Sequence, residues 1–177
     1  MYAKALLFGI LLCFSALSAH AGVGPFGLSV GTTSLDEARA QLSAQTRLEA
    51  LGENRWTNGP MFKSSGAGLG LNGLQEALFI FDTDATLAGV ILYLNKNRYQ
   101  DFKGMLSEQY QLISDQAPFV GNQLATFRQD DVTIEAEAPH MSFQMEIRYL
   151  HRSLIEAYNQ GSQREQQEQR RQESSQL

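Results

Sequence analysis

Asp82 and Asp84 are the residues whose type and spacing come closest to acid–base or nucleophilic chemistry. They stand two apart at the end of an apolar run, in Ala77-Leu78-Phe79-Ile80-Phe81-Asp82-Thr83-Asp84-Ala85-Thr86-Leu87. The same residue types are ordinary turn formers, because Asp and Thr side chains bond nearby backbone groups. A second apolar run, Leu87 to Leu94, follows at once, so the segment is expected to be a β-hairpin. Gly66-Ala67-Gly68-Leu69-Gly70 has the composition of a phosphate loop. Such a loop must open a helix, so that N-terminal N–H groups meet the phosphate. Here a strand pattern follows and no Lys-Ser/Thr pair does, so a flexible connection is expected. His140 and His151 have no carboxylate at helical ligand spacing and read as surface imidazoles.

Composition narrows the chemistry further. The chain has 177 residues, 43% hydrophobic and 19% charged, with a net charge of −5. Those figures fit one globular domain with an ordinary core. An acidic balance without a basic run lacks the footprint of nucleic-acid binding. The single cysteine is Cys13, so disulfide frameworks, thiolate zinc sites and iron–sulfur clusters are not expected. No cofactor, metal site or catalytic residue is assigned.

The N-terminus reads as an address. Lys4 precedes an uncharged apolar run from Ala5 to Leu17, and Ala19-His20-Ala21 follows with small-x-small cleavage spacing. Residues 1–21 are therefore expected to be a secretory signal peptide, cleaved after Ala21, which places the protein in the periplasm. Leu12 stands immediately before Cys13, where a lipoprotein carries a small residue, so a lipid anchor is not expected. No later apolar stretch approaches the ~20 residues of a membrane span.

Beyond residue 21, Gly-rich 22–33 reads as an extended lead-in. Ser34-Leu35-Asp36-Glu37 is a capping box, and Leu35, Ala38 and Leu42 continue it at helical spacing to about Gln45. Residues 46–62 contain two strands, TRLEAL and RWTNGPMF, and 64–73 a small-residue loop. The hairpin 74–81 and 87–94 comes next, then a second helix over 98–110 with Tyr99, Phe102 and Leu106 on one face. QLIS, at 111–114, is a short strand, followed by strands at 123–128, 132–138 and 143–149. The clean alternation of the last two means one wet face and one packed face. Residues 151–160 read as a short helix, and Gln-rich 161–177 as a solvated, disordered tail. The fold class is α+β: antiparallel sheet carrying two main helices packed on one side, in a single domain over 22–160.

The two helices echo one another. Leu35, Ala38, Leu42 and Leu48 align with Tyr99, Phe102, Leu106 and Leu112, and Ser43 and Gln45 with Ser107 and Gln109. Each helix is followed by several strands, so two related halves, about 31–94 and 95–150, are expected. Gly31-Thr32-Thr33-Ser34-Leu35-Asp36-Glu37-Ala38-Arg39-Ala40-Gln41-Leu42 resembles the turn, cap and helix opening of outer-membrane assembly lipoproteins of the SmpA/OmlA (BamE) type. The tandem helix-plus-strands layout is similar to that of the β-lactamase inhibitory proteins. Those families are noncatalytic and hold another protein on a sheet face or on loops, and the resemblance implies the same here. The chain differs from them in lacking a lipid-bearing cysteine and cysteine pairs.

The Asp82-x-Asp84-x-Thr86 segment resembles the first motif of haloacid-dehalogenase-type phosphatases. That resemblance implies Asp82 as nucleophile and Asp84 as acid/base with magnesium, Lys96 or Lys103 as the cation, and Asp130-Asp131 as metal ligands. Against it, Leu87 continues as a strand where that fold needs a loop and helix, and Ala85 replaces the usual Gly. The leading expectation is thus a noncatalytic protein-binding or inhibitor-like module with another periplasmic or envelope protein as partner; a magnesium-dependent phosphatase is the alternative. Leu78 to Phe81 and Val90 to Leu94 are apolar on both alternating faces, so both faces are covered or one meets a partner. Trp56, Met61 and Phe62, flanking Asn58-Gly59-Pro60, are the expected partner-binding residues.

Overall fold

The computed structural model describes residues 22–176. The expected signal peptide, its cleavage site and Cys13 lie outside them. The fold starts from local signals that the backbone obeys. Ser34 caps α1 (Leu35–Leu42): its hydroxyl accepts from Glu37 N, and the Glu37 carboxylate accepts from Ser34 N at 2.8 Å. The capping bonds from Ser34, backbone first and hydroxyl second, hold the Glu37 carboxyl below its ordinary pKa. A lowered folded-state pKa means that Glu37 supports α1 above the ordinary carboxylate range. That support fades as the pH falls through the folded-state value. Replacing Ser34 by Ala is expected to cost about 1 kcal/mol, read as a lowered urea midpoint.

After α1 come β1 (Glu49–Glu53), β2 (Asn58–Ser65), β3 (Leu74–Asp82) and β4 (Leu87–Asn95). A single 3-10 turn at Lys96–Arg98 leads into α2 (Tyr99–Gln109), and β5 (Gln111–Gln116), β6 (Gln123–Gln129), β7 (Val132–Ala138) and β8 (Gln144–His151) follow. Last is α3 (Arg152–Ser174). The architecture is α+β, with one antiparallel eight-stranded sheet in the order β1-β2-β3-β4-β8-β7-β6-β5. No helix among the described residues is long and apolar enough to cross a membrane.

Strand register sorts the side chains into two faces, because neighbours across a ladder point the same way. One row runs Phe62, Phe79, Val90, Tyr149, Ile134 and Phe127 across six strands. A second runs Ser64, Ala77, Leu92, Ile147, Ala136 and Ala125. These rows form the main core with Ala38 and Leu42 of α1 and Tyr99, Phe102 and Leu106 of α2. Burial raises the Tyr99 hydroxyl pKa to about 12, assisted by nearby Asp115, and keeps that phenol neutral.

Four features depart from the sequence expectation. Residues 22–33 are not extended: they turn repeatedly, with Gly27 and Gly31 at positive φ, and bury Val23, Leu28 and Val30 in the core. An apolar residue next to a glycine can fold back where an extended chain would leave it in water. Between Glu49 and Ser65 the strands start later than expected. Asn54 Oδ1 accepts from Trp56 N and Thr57 N at 2.9 and 3.0 Å, so Arg55–Thr57 belong to a turn.

The other two departures concern the C-terminus. The segment expected to be a disordered tail is helical, because α3 continues through it to Ser174. Gln, Glu and Arg are good helix formers, and Gln169 bonds Glu173 one turn on at 3.2 Å. Finally, the helices do not all lie on one side. α1 and α2 share the main core, whereas Leu154 of α3 packs with Ile80 and Ala88 in a separate cluster on the opposite sheet face.

Candidate functional site

The face opposite the main core changes character from row to row. Met61, Ile80, Gly89 and Leu150 form the first row, at the end of the sheet where α3 begins. Lys63, Leu78, Ile91, Arg148 and Glu135 form the second. Glu76, Tyr93, Glu146 and Glu137 form the third. The face therefore passes from apolar to acidic along the strands.

α3 crosses the apolar end. Gly89 makes room for it: a Cβ there would lie 2.7 Å from Leu154 Cδ2. Further along the helix, Tyr158 meets the Trp56 indole edge-on, with ring centroids 5.2 Å apart. Gly161 permits the next approach, since a Cβ there would stand 2.4 Å from two indole carbons. Arg55 stacks over that indole at 4.2 Å and pairs with Glu165. His151 starts the helix by accepting from Ser153 N at 3.3 Å.

Between α3 and the sheet lies a groove of about 640 Å³. Its floor is Met61, Leu78, Ile80, Ile91 and Leu150, and its roof is Leu154, Ile155 and Tyr158, with Trp56 closing one end. Arg148 and Glu135 mark its polar margin. There Arg148 is ringed by carboxylates, at 3.2 Å from Glu135, 2.5 Å from Glu137 and 3.5 Å from Glu146. Nε faces Glu135 without hydrogen-bond geometry. Three carboxylates against one guanidinium leave the margin negative. The neighbouring phenol responds: burial first, then the charges of Glu146 and Glu76, raise the Tyr93 pKa. Lys63 lies 3.8 Å from Glu49 and 4.0 Å from Glu76, at the limit of ion pairing. An apolar trough with an acidic rim suits a ligand that brings apolar side chains and positive charge.

Of the three expected binding residues, Trp56 and Met61 meet at this groove. Phe62 does not. It points to the main core, is 6% exposed, and packs edge-on against Phe81 at 6.0 Å. Adjacent strand residues point to opposite faces, so Met61 and Phe62 never share one. The groove residues Leu78 and Ile91 carried a sequence signal in the apolar excess of their strands, whereas Leu150, just past the alternating run 143–149, carried none. Arg148 and its carboxylates carried none, because Glu and Arg alternating with apolar residues read as a plain wet face.

The remaining chemical candidates are held apart. Asp82 Oδ1 accepts from Asp84 N at 3.0 Å and Thr86 N at 2.8 Å, so this carboxylate closes the hairpin turn. Lys96 follows the far end of β4, nine residues long, or roughly 30 Å away at strand rise. Lys103 pairs with Asp115 at 2.8 Å, and Asp131 with Arg152 at 2.9 Å. Among the described residues, no group of three or more His, Cys, Asp or Glu side chains is placed to hold a metal ion. Gly27-Leu28-Ser29-Val30-Gly31 has the spacing of a serine nucleophile elbow, although no such elbow was expected from the sequence. It lies in consecutive turns rather than between a strand and a helix, as that elbow requires. His151 directs Nδ1 to Ser153 Oγ at 2.8 Å. No protein-family model, curated protein or solved structure matches the chain.

Proposed function

We propose that the chain is an exported, noncatalytic protein-binding module of the periplasm, in which the groove between α3 and the sheet grips a segment of another envelope protein. One observation carries this reading: strands built to be apolar on both faces are only partly covered by α3. Leu78, Ile91 and Leu150 remain only partly buried beside an acidic margin. Apolar surface held open by a rigid sheet is a preformed docking site. The element order, a helix and then four strands, twice, supports descent of the two halves from one unit. It is also the layout expected from the resemblance to outer-membrane assembly lipoproteins and β-lactamase inhibitory proteins. Export rests on residues 1–21, in the order charged start, apolar run and small-x-small site.

Site-specific photo-crosslinking in intact cells tests the proposal. A crosslinker replacing Tyr93, at the acidic end of the groove, is expected to trap one recurrent partner. Ile91→Ser, in the groove floor, should reduce the adduct about tenfold, the usual effect of removing a buried apolar contact. A crosslinker at Tyr93 that traps nothing overturns the proposal, and so does an adduct indifferent to Ile91→Ser.

A further inference from the structure

The end of the sheet away from the α3 crossing carries a different surface. The β5–β6 connection, residues 117–122, and the β7–β8 connection, residues 139–143, emerge there side by side. Phe119 is 104% exposed, Met141 91%, Phe143 94% and Val120 66%. Large apolar side chains on a water-facing tip cost solvation free energy that the fold does not recover. Four on two adjacent tips form an apolar patch that nothing in the fold covers.

The tips are tied together. His140 N donates to Asn122 Oδ1 at 2.8 Å, which joins the two connections. Lys96 N donates to Phe143 O at 2.9 Å, and the Lys96 ammonium is held by the carbonyls of Pro139 and His140. The apolar groups therefore stand as one fixed set, with a cation directly behind them.

We propose that these two tips insert into the interfacial layer of a phospholipid bilayer, with Lys96 against the lipid phosphates. Three observations favour lipid. Phe119 and Met141 project into solvent, and the recess that Phe143 and Lys96 border with Asn95, Asn97 and Ser142 is broad and open, so the tips offer no enclosed recess to a folded partner. A disordered apolar medium needs none. Neither connection contains an Asp or Glu, although the chain is acidic overall. On the flanking strands Asp115 is paired with Lys103, while Glu137 and Glu146 share Arg148 in the acidic margin of the groove. The tips themselves thus carry no negative side chain and hold the Lys96 ammonium, which complements a phosphate layer. The surface stands apart from the groove and does not depend on its function.

Vesicle co-sedimentation tests the proposal, with the chain recovered from exporting cells and its N-terminus identified by mass. Masses must begin at Gly22, because an apolar leader would bind lipid by itself. Phosphatidylcholine vesicles, with or without phosphatidylglycerol, are expected to pellet the protein. Phe119→Ser combined with Phe143→Ser should lower partitioning at least tenfold, since each ring loses its burial in lipid. Lys96→Gln should weaken binding on the order of fivefold on phosphatidylglycerol vesicles and little on pure phosphatidylcholine. Unchanged circular dichroism of the double variant excludes unfolding as the cause. Failure of the wild-type chain to pellet overturns the inference, as does pelleting that the double variant retains. A self-associated wild type that the double variant dissociates, without lipid binding, assigns the tips to a second copy and also overturns it.

Discussion

Phe79→Ala is expected to destabilise the protein by about 3–5 kcal/mol, the range for deleting a fully buried ring. The side chain is 0% exposed, between Phe62 and Val90 in a row that spans six strands, and 6.4 Å from the Phe26 ring. The lead-in of residues 22–33 thus seals one side of the core through this contact, and the cavity left by alanine has no loose element to fill it. Urea unfolding with an unchanged slope is the measurement. Met61→Ala is the matched control, since Met61 faces the groove and is half-buried. Its cost should be about 1–2 kcal/mol, below the range for buried methionines because less surface returns to water. Equal costs at the two positions would mean that the groove face is packed as a second core rather than held open.

Period two in the strands and period 3.6 in the helices made much of this architecture legible in advance. Ser34 and Glu37 mark the start of α1, and Tyr99, Phe102 and Leu106 mark the inner face of α2, because capping and amphipathic spacing are local properties. The order of strands is not local. Nothing within β4 or β8 says that they pair with each other at the centre of the sheet. The start of α3 was legible as a short helix over 151–160, but its continuation to Ser174 was not, because its groove-lining apolar residues, Leu154, Ile155 and Tyr158, all lie in the first two turns ahead of a polar stretch. Its docking depends on Gly89 and Gly161, glycines that read as weak points in a strand and a helix and serve here as close-approach positions. Half of the site was visible for the same reason. Trp56 and Met61 stand out as large apolar residues near a turn, but only the pleat places Phe62 on the other face.

Leu154→Asp is expected to release α3 from the sheet. Leu154 is 6% exposed and sits over Gly89 between Ile80 and Ala88. A carboxylate held there would lose its hydration without gaining a partner. Undocking the helix is the cheaper outcome, which caps the cost near the docking free energy of Leu154, Ile155 and Tyr158, about 3 kcal/mol from the apolar area involved. The main core lies on the other face and should persist. The chain has one tryptophan, Trp56, packed against Tyr158 and Gly161, so its fluorescence reports the docking of α3 directly. The variant should show red-shifted emission and reduced helicity, because a free polar helix of 23 residues is marginal in water. Leu154→Met keeps the volume and should do neither. Unchanged emission in the aspartate variant would mean that Leu154 does not hold the helix. The same variant also separates two roles for α3. If partner capture at Tyr93 is lost on release, α3 is a wall of the binding groove. If capture rises, α3 occupies part of the surface that the partner needs and competes with it, because a segment that binds only the open form must draw the equilibrium toward that form.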